Sequence, residues 1–375
     1  MSGIYIHIPF CKQKCNYCNF HFSTSVKGIP QMITCIENEI ELRKDYLNKN
    51  RIASIYFGGG TPSLVNVNYL ESILKTIHSN FIVDSNAEIT LEANPDDINE
   101  TMLLALRKAG INRLSLGVQS FFDIDLKWMN RAHNAEEAIN CITTIKQAGF
   151  TNYSVDLIYG VPGLTDAKWI QNLETLLQEN VPHISCYALT VESKTELFHA
   201  IKKNNIPPLD EEQSERQYHI THALLTKYGY EHYEISNYAK TGFHAVHNSS
   251  YWEGKQYLGV GPSAHSYNGI SRQWNVSSNP LYMNNIVQHI IPYEIELLTP
   301  VQQANEMIMI SLRQSKGLNL HLFNEKFGDA FYNTLLENIK QTEDVFVTEG
   351  EDILIIQERV RFISDSIISN LFLEE

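Results

Sequence analysis

Positive charge is scarce in this chain, with 29 Lys and Arg against 43 Asp and Glu, a net charge of −14. That deficit excludes a broad electrostatic grip on nucleic acid, which draws on clustered cations. Long apolar runs are missing too. None reaches the roughly 18 to 20 residues that a membrane span needs. The opening Met1-Ser2-Gly3-Ile4 lacks the basic and apolar regions of an export signal, so the expectation is a soluble, cytoplasmic protein. Cysteine is sparse at six residues, and in a reducing compartment disulfides are not expected among them. There is no Gly-Lys-Ser/Thr phosphate loop, no dinucleotide-type glycine fingerprint, no internal repeat and no low-complexity tract. What remains is an ordinary globular composition, 43% hydrophobic and 19% charged, over 375 residues. That length supports a barrel-sized core and a smaller appendage. The 19 Tyr and 16 Phe suit either a large core of half-buried rings or a wide cleft for a flat ligand.

Six short β-type runs recur with helix-length segments between them. They are residues 3–8, 52–57, 87–92, 113–117, 153–158 and 184–189. The intervening amphipathic stretches are 33–48, 69–80, 99–109, 135–148 and 167–179, two of them closing on Ala-Gly. Such alternation specifies parallel βαβ units. Six units are two short of a closed barrel, so the expected fold class is α/β, a partial (β/α)6 TIM-like barrel with a lateral opening. Expected boundaries are a barrel over 1–235, a connecting segment of weak periodicity over 236–298, and a mostly helical, winged-helix-like domain over 299–375. The last carries helices up to 314 and at 320–327 and 331–342, a hairpin of 345–348 with 353–357, and a final helix 361–373. Its six Lys and Arg against 13 Asp and Glu have the wrong sign for DNA, which favours a lid or docking module.

Directly after the first strand stand Cys11, Cys15 and Cys18, spaced C-x3-C-x2-C. Three thiolates on a [4Fe–4S] cluster leave one iron open, and an open metal position is where chemistry happens. A molecule chelating through an amino and a carboxylate group, as S-adenosylmethionine does, suits that iron. A Cys3His zinc site using His21 and plain free thiols are the other readings. After the second strand, Gly58-Gly59-Gly60-Thr61-Pro62-Ser63 lets backbone N–H groups approach a ligand. Glu92 ends the third strand and Gln119 follows the fourth. The unusual residues thus fall at strand carboxyl ends, where parallel barrels place active sites. Cys35, Cys141 and Cys186 read as buried thiols in two helices and a strand.

Together with Tyr5-Ile6-His7-Ile8-Pro9-Phe10, Leu91-Glu92-Ala93-Asn94-Pro95, Ser115-Leu116-Gly117-Val118-Gln119-Ser120-Phe121, Asn130-Arg131-Ala132-His133 and Val155-Asp156-Leu157-Ile158-Tyr159-Gly160, these motifs resemble the radical S-adenosylmethionine superfamily. Within it the chain resembles the oxygen-independent coproporphyrinogen III oxidases and their haem chaperone relatives, the HemW family. The resemblance implies a [4Fe–4S] cluster on Cys11, Cys15 and Cys18. It implies S-adenosylmethionine contacts from Gly59, Gly60, Thr61, Glu92, Gln119, Arg131 and Asp156, with Tyr5 and Tyr17 flanking cluster and cofactor.

Two departures separate the chain from the oxidases. Phe20 stands where they carry a fourth cysteine, and the chain begins almost on its first strand, at Gly3, without their extension. Both are features of the haem chaperones. So is His247-Asn248-Ser249-Ser250-Tyr251-Trp252, which matches their H-N-x-x-Y-W motif. A histidine offers iron an axial nitrogen, and Tyr251 and Trp252 offer flat apolar surface. A packed turn with a hydrogen-bonded core histidine is the plainer reading. His222, His232, His244 and His265 leave the iron ligand open. The implied function is a haem chaperone with haem, His247, Asn248, Tyr251 and Trp252 in contact, delivering to respiratory acceptors and docking transiently at the inner face of the membrane. Dimerisation is a further family implication. The rival is radical decarboxylation of coproporphyrinogen III propionates.

Overall fold

The computed structural model describes residues 1–350 and 352–374. Its framework is one sheet of 12 strands among the described residues. The six expected strands are all present: β1 (Ser2–Ile8), β2 (Ile52–Gly59), β3 (Val83–Ala93), β4 (Arg113–Gln119), β5 (Tyr153–Tyr159) and β6 (His183–Ala188). They pair in parallel in chain order. Their apolar runs are buried on both faces, as a parallel sheet wrapped in helices requires, with Ile4, Ile6, Ile8, Leu114, Leu116, Val155 and Leu157 fully enclosed. The arc is not closed.

Helices with legible punctuation cover the outside. Ala135–Gln147 opens on a capping box of Asn134 and Glu137. Glu100–Ala109 starts under the Asn99 side chain and stops at Gly110, whose φ of 103° suits glycine. The first helix runs over Ile29–Leu42, not 33–48, because Pro30 supplies a preset first turn; the chain beyond Leu42 breaks into turns.

The segment of weak periodicity is not a plain connection. After β7 (Glu231–Glu234), it supplies β8 (Asn237–Ala239), β9 (Tyr257–Val260), β10 (His265–Tyr267), β11 (Ser271–Asn275) and β12 (Tyr293–Leu297) to the same sheet. β9 pairs parallel with β1, so a seventh parallel strand extends the arc beyond six. β8 pairs antiparallel with β6 at the opposite end. Runs of three to five residues leave little periodicity to read, although β7 with β8 and β10 with β11 pair as neighbours in the chain. The buried carboxylate of Glu39 ties this segment to the first helix: it accepts from Tyr282 Oη at 2.6 Å, Asn275 Nδ2 at 2.8 Å and Gly261 N at 2.9 Å, and lies 3.3 Å from the Arg43 guanidinium.

From Pro300 on, helices Pro300–Leu312, Leu320–Phe327 and Asp329–Lys340 and a small sheet enclose a second apolar cluster around Ile308, Phe323, Leu335 and Leu371. β13 (Leu318–Asn319), β14 (Phe346–Glu349) and β15 (Ile353–Ile356) form that sheet; Glu351 of the expected hairpin turn lies outside the described residues. The final helix is shorter than expected. A 3-10 turn over Glu358–Ile363 precedes Ser364–Ser369, and chain beyond it packs without helix.

Candidate active-site cleft

A cleft of about 720 Å³ opens at the carboxyl ends of the parallel strands. Cys11, Cys15 and Cys18 line it from the loop after β1, and all three are free and half-buried. Backbone bonds shape that loop. Cys11 N donates to Ser23 O at 3.0 Å, Cys18 N to Cys15 O at 3.3 Å and Asn16 N to Met129 O at 3.3 Å. Burial pushes the Cys11 thiol up to about 11 and raises Cys18 as well. Among the described residues the three sulfurs, with or without His21, do not gather within 4.8 Å of one another. A single zinc ion needs ligand atoms closer than that, whereas a cubane spreads its thiolates wider. His21 is committed elsewhere, its Nε2 lying 2.7 Å from Asn279 Oδ1. Cys35, Cys141 and Cys186 are buried and free, as expected.

The glycine run lies against the cysteine loop. A Cβ on Gly60 would stand 2.5 Å from Phe10 O, and one on Gly59, where φ is 110°, would stand 2.6 Å from the His7 ring. Only glycine permits this approach. Gly60 N donates to Ile8 O at 2.9 Å and Thr61 N to Phe10 O at 2.7 Å, so strand end and loop are laced together.

Glu92, Gln119, Arg131 and Asp156 converge on the cleft from β3, the end of β4, the loop after Trp128 and β5. Tyr56 Oη donates to Glu92 Oε1 at 2.8 Å and Gly59 N to Oε2 at 3.2 Å. Burial nonetheless pushes Glu92 up to about 7, and Asp156 up to about 6. Arg131 donates to Gly117 O at 2.6 Å, Asn94 Oδ1 at 2.7 Å and Cys15 Sγ at 3.3 Å. Gln119 has a φ of 72° at a shift in the β4–β5 register, which turns its side chain out of the ladder. Three buried polar atoms of this group have no partner: Gln119 Oε1, Arg131 Nε and Asp156 Oδ1. Buried polar atoms are normally satisfied, so this concentration fits a polar ligand.

Tyr17 and Thr61 line the cleft as expected. Tyr5 does not. It lies deeper in the barrel, 6.1 Å from the Tyr56 ring, with its hydroxyl 3.2 Å from His7 Nδ1. Two residues without an expected role matter here, Tyr56 and Asn94, which orient Glu92 and Arg131. Asn94 sits inside a quoted motif and Tyr56 inside the second expected strand. Their signal was position, because Tyr56 shares the inner face of β2 and Asn94, one residue past β3, continues the alternation that places Glu92.

The H-N-x-x-Y-W segment forms the helix Val246–Trp252. His247 points into the barrel floor. Its Nδ1 lies 2.9 Å from Ser54 Oγ, its Nε2 lies 2.9 Å from Tyr251 Oη, and its ring stacks 5.0 Å from Tyr56. Burial lowers its pKa to about 3, so it is neutral. Asn248 faces the cleft. Trp252 packs under the Arg313 guanidinium at 5.6 Å. In this structure the segment is a packed element holding a hydrogen-bonded histidine. His244 pairs with Glu231, and His265 stacks on Trp274 away from the cleft.

An open parallel barrel with three cysteines and a glycine run at its carboxyl end defines the class, and residues 5–176 match the Radical SAM superfamily. Residues 298–352 match the HemN C-terminal domain. The chain belongs to the heme chaperone HemW family: it is 32% identical to the Bacillus subtilis heme chaperone HemW over 91% of this chain and 92% of that protein. It is 36% identical to the Haemophilus influenzae heme chaperone HemW, covering 70% and 69% of the two chains. A mouse mitochondrial radical S-adenosyl methionine domain-containing protein 1 shares 34% identity over 70% of this chain and 60% of its own length. In solved structures, coproporphyrinogen III oxidase HemN from Escherichia coli superposes with a TM-score of 0.85 at 23% identity, covering 99% of this chain and 89% of that one; at that identity it is the fold that is shared.

Proposed function

We propose that this chain is a haem chaperone, binding haem as cargo and passing it to haem-requiring acceptors. It would hold a [4Fe–4S] cluster on Cys11, Cys15 and Cys18. The observation that carries the cofactor reading is the convergence of three free thiols with three partnerless buried atoms, Gln119 Oε1, Arg131 Nε and Asp156 Oδ1, on one cleft. When bound, cluster and S-adenosylmethionine together supply one-electron chemistry at a sulfonium. The chain's own residues bind and orient. Gly59 and Gly60 bring backbone close, Thr61 adds a hydroxyl, and Arg131 is aimed by Asn94 and Gly117 to meet a carboxylate. Glu92 and Asp156 suit hydroxyl and ammonium groups, and Tyr17 walls the cluster side.

Haem contact through His247 requires the helix Val246–Trp252 to release the bonds to Ser54 and Tyr251, since both ring nitrogens are engaged in this structure. Asn248 and the aromatic residues of the segment complete the proposed contact. Among the described residues no helix is long and apolar enough to cross a membrane; a cytoplasmic location with transient docking, and a dimer, are parts of the same proposal. Hemin titration of the full chain tests it. A Soret band at stoichiometric hemin, replaced by that of the acceptor on mixing with an apo-acceptor, is the expected result. Sustained anaerobic conversion of coproporphyrinogen III without haem uptake, blocked by Cys15→Ser, would replace the chaperone with the oxidase. An unchanged Soret band in His247→Ala would move the iron ligand elsewhere.

A further inference from the structure

A second polar cluster lies behind the cleft wall, where the C-terminal residues meet the barrel. His222 comes from the helix Glu211–Lys227, His232 from β7, and Glu358 opens the 3-10 turn Glu358–Ile363. Their ligand atoms face one another. His222 Nδ1 is 3.0 Å from His232 Nδ1 and 3.2 Å from Glu358 Oε1, and His232 Nδ1 is 3.8 Å from Glu358 Oε2.

Tyr218 Oη donates to Glu358 Oε1 at 3.4 Å, but hydrogen bonding serves the two imidazoles poorly. His232 Nε2 donates to Ile235 O at 3.2 Å, so its Nδ1 carries a lone pair directed into the cluster. Its ring is locked flat against Tyr238, 4.1 Å between centroids and 11° between planes. One proton on His222 Nδ1 must then serve a lone-pair nitrogen and a carboxylate together. Burial keeps both imidazoles below the usual range, hence neutral, the form a metal takes up. A tetrahedral ion with bonds of about 2.0–2.1 Å sets its ligand atoms roughly 3.3 Å apart. The His222 Nδ1 separations of 3.0 and 3.2 Å lie close to that spacing, and the carboxylate approaches His232 Nδ1 to 3.8 Å through its other oxygen. A backbone carbonyl fixing the far nitrogen of a ligating histidine is the usual outer support of such a site.

We propose that His222, His232 and Glu358 form a divalent transition-metal site suited to Zn²⁺, stapling the Glu358–Ile363 turn to the barrel. Glu358 presents Oε1 to His222 and Oε2 to His232, and the Arg361 guanidinium lies 3.5 Å from Oε2. The His222 and Glu358 side chains are 28% and 33% exposed, which leaves a fourth position for water. Tyr218 lies 5.9 Å from the His232 ring and 5.6 Å from the Phe362 ring, and both Tyr218 and Phe362 line the cleft. An ion here therefore stiffens one wall of the cavity, and its release loosens it.

Titration of the full chain with Co²⁺ tests the site. The wild type should take up one equivalent showing visible ligand-field bands without sulfur-to-metal charge transfer, which separates it from any ion on Cys11, Cys15 and Cys18. His222→Ala and the size-preserving Glu358→Gln should each weaken that uptake by at least about a hundredfold. Zn²⁺ should raise the melting temperature of the wild type and leave that of Glu358→Gln unmoved. Cobalt bands unchanged in both variants, or wild-type uptake only with sulfur charge transfer, would overturn the proposal.

Discussion

Replacing Glu92 by Gln should stabilise the ligand-free protein above neutral pH while removing its hold on the cofactor. The reasoning starts from burial. Enclosure raises the Glu92 carboxyl from its ordinary 4.5 to about 7, and Asp156 adds to the rise, against the opposing bonds from Tyr56 and Gly59. A carboxyl raised in the folded state contributes stability that is fully present below pH 4.5 and is lost as pH climbs to about 7. At 1.36 kcal/mol per pH unit, the change between pH 5 and pH 8 is about 2.5 kcal/mol. The Glu92→Gln variant would carry no such slope. The new amide fits, since Tyr56 Oη can accept from its NH₂ group while Gly59 N still donates to its oxygen. Urea denaturation of both proteins at pH 5 and pH 8, without cluster or S-adenosylmethionine, yields two differences. Because Glu92 and Asp156 repel each other, the double difference reports the Glu92 titration together with its effect on Asp156. The stability of the variant relative to wild type should rise by roughly 2–3 kcal/mol across that interval. A relative stability that stays flat with pH would refute the buried-charge account. Calorimetry on cluster-loaded protein should show S-adenosylmethionine affinity falling at least tenfold in the variant; unchanged affinity would detach Glu92 from the cofactor.

Gly60→Ala places a methyl 2.5 Å from Phe10 O and 2.8 Å from Phe10 N, atoms that cannot turn aside. Overpacking of this kind costs about 1–3 kcal/mol, and the displaced Phe10 drags Cys11 with it, so iron retained after anaerobic reconstitution should drop sharply; wild-type iron content would contradict the close-approach argument. Glu39→Ala strands the buried Arg43 guanidinium and three further donors, for an expected loss of about 3–5 kcal/mol by chemical denaturation. A loss under about 1 kcal/mol would mean that water replaces the carboxylate with ease.

The barrel was legible because its cause is local. Each of β1 to β6 is a short apolar run bounded by turn residues, and each intervening helix repeats at 3.6 residues, so alternation alone implies parallel pairing. The site was legible for a related reason. Chemistry at a strand's carboxyl end concentrates odd residues in a few short motifs, and Cys11, Gly60, Glu92, Gln119 and Asp156 all stand in such places. β8 to β12 left no comparable trace. Strands of three to five residues carry too few alternations to register, and β9 takes its place in the sheet through β1, remote in sequence. The helix Glu211–Lys227 was missed because its polar face is wide, and the final helix was overextended because an apolar rhythm continues past Ser369 while the backbone does not.

Residue chemistry and spacing by themselves determined that three thiols follow the first strand and that glycines follow the second, and resemblance of the motifs pointed to the haem chaperone family. Only the tertiary structure decided where side chains point. His247, whose motif suggests an exposed iron ligand, is turned into the barrel floor because Ser54 and Tyr251 satisfy both its nitrogens there and Tyr56 covers its ring. His222, His232 and Glu358, drawn from separate stretches of the chain with no motif among them, meet because a helix, a strand and a distant turn pack together. Local sequence encodes the period of a strand or helix; the direction of a side chain depends on what the rest of the chain brings to its side.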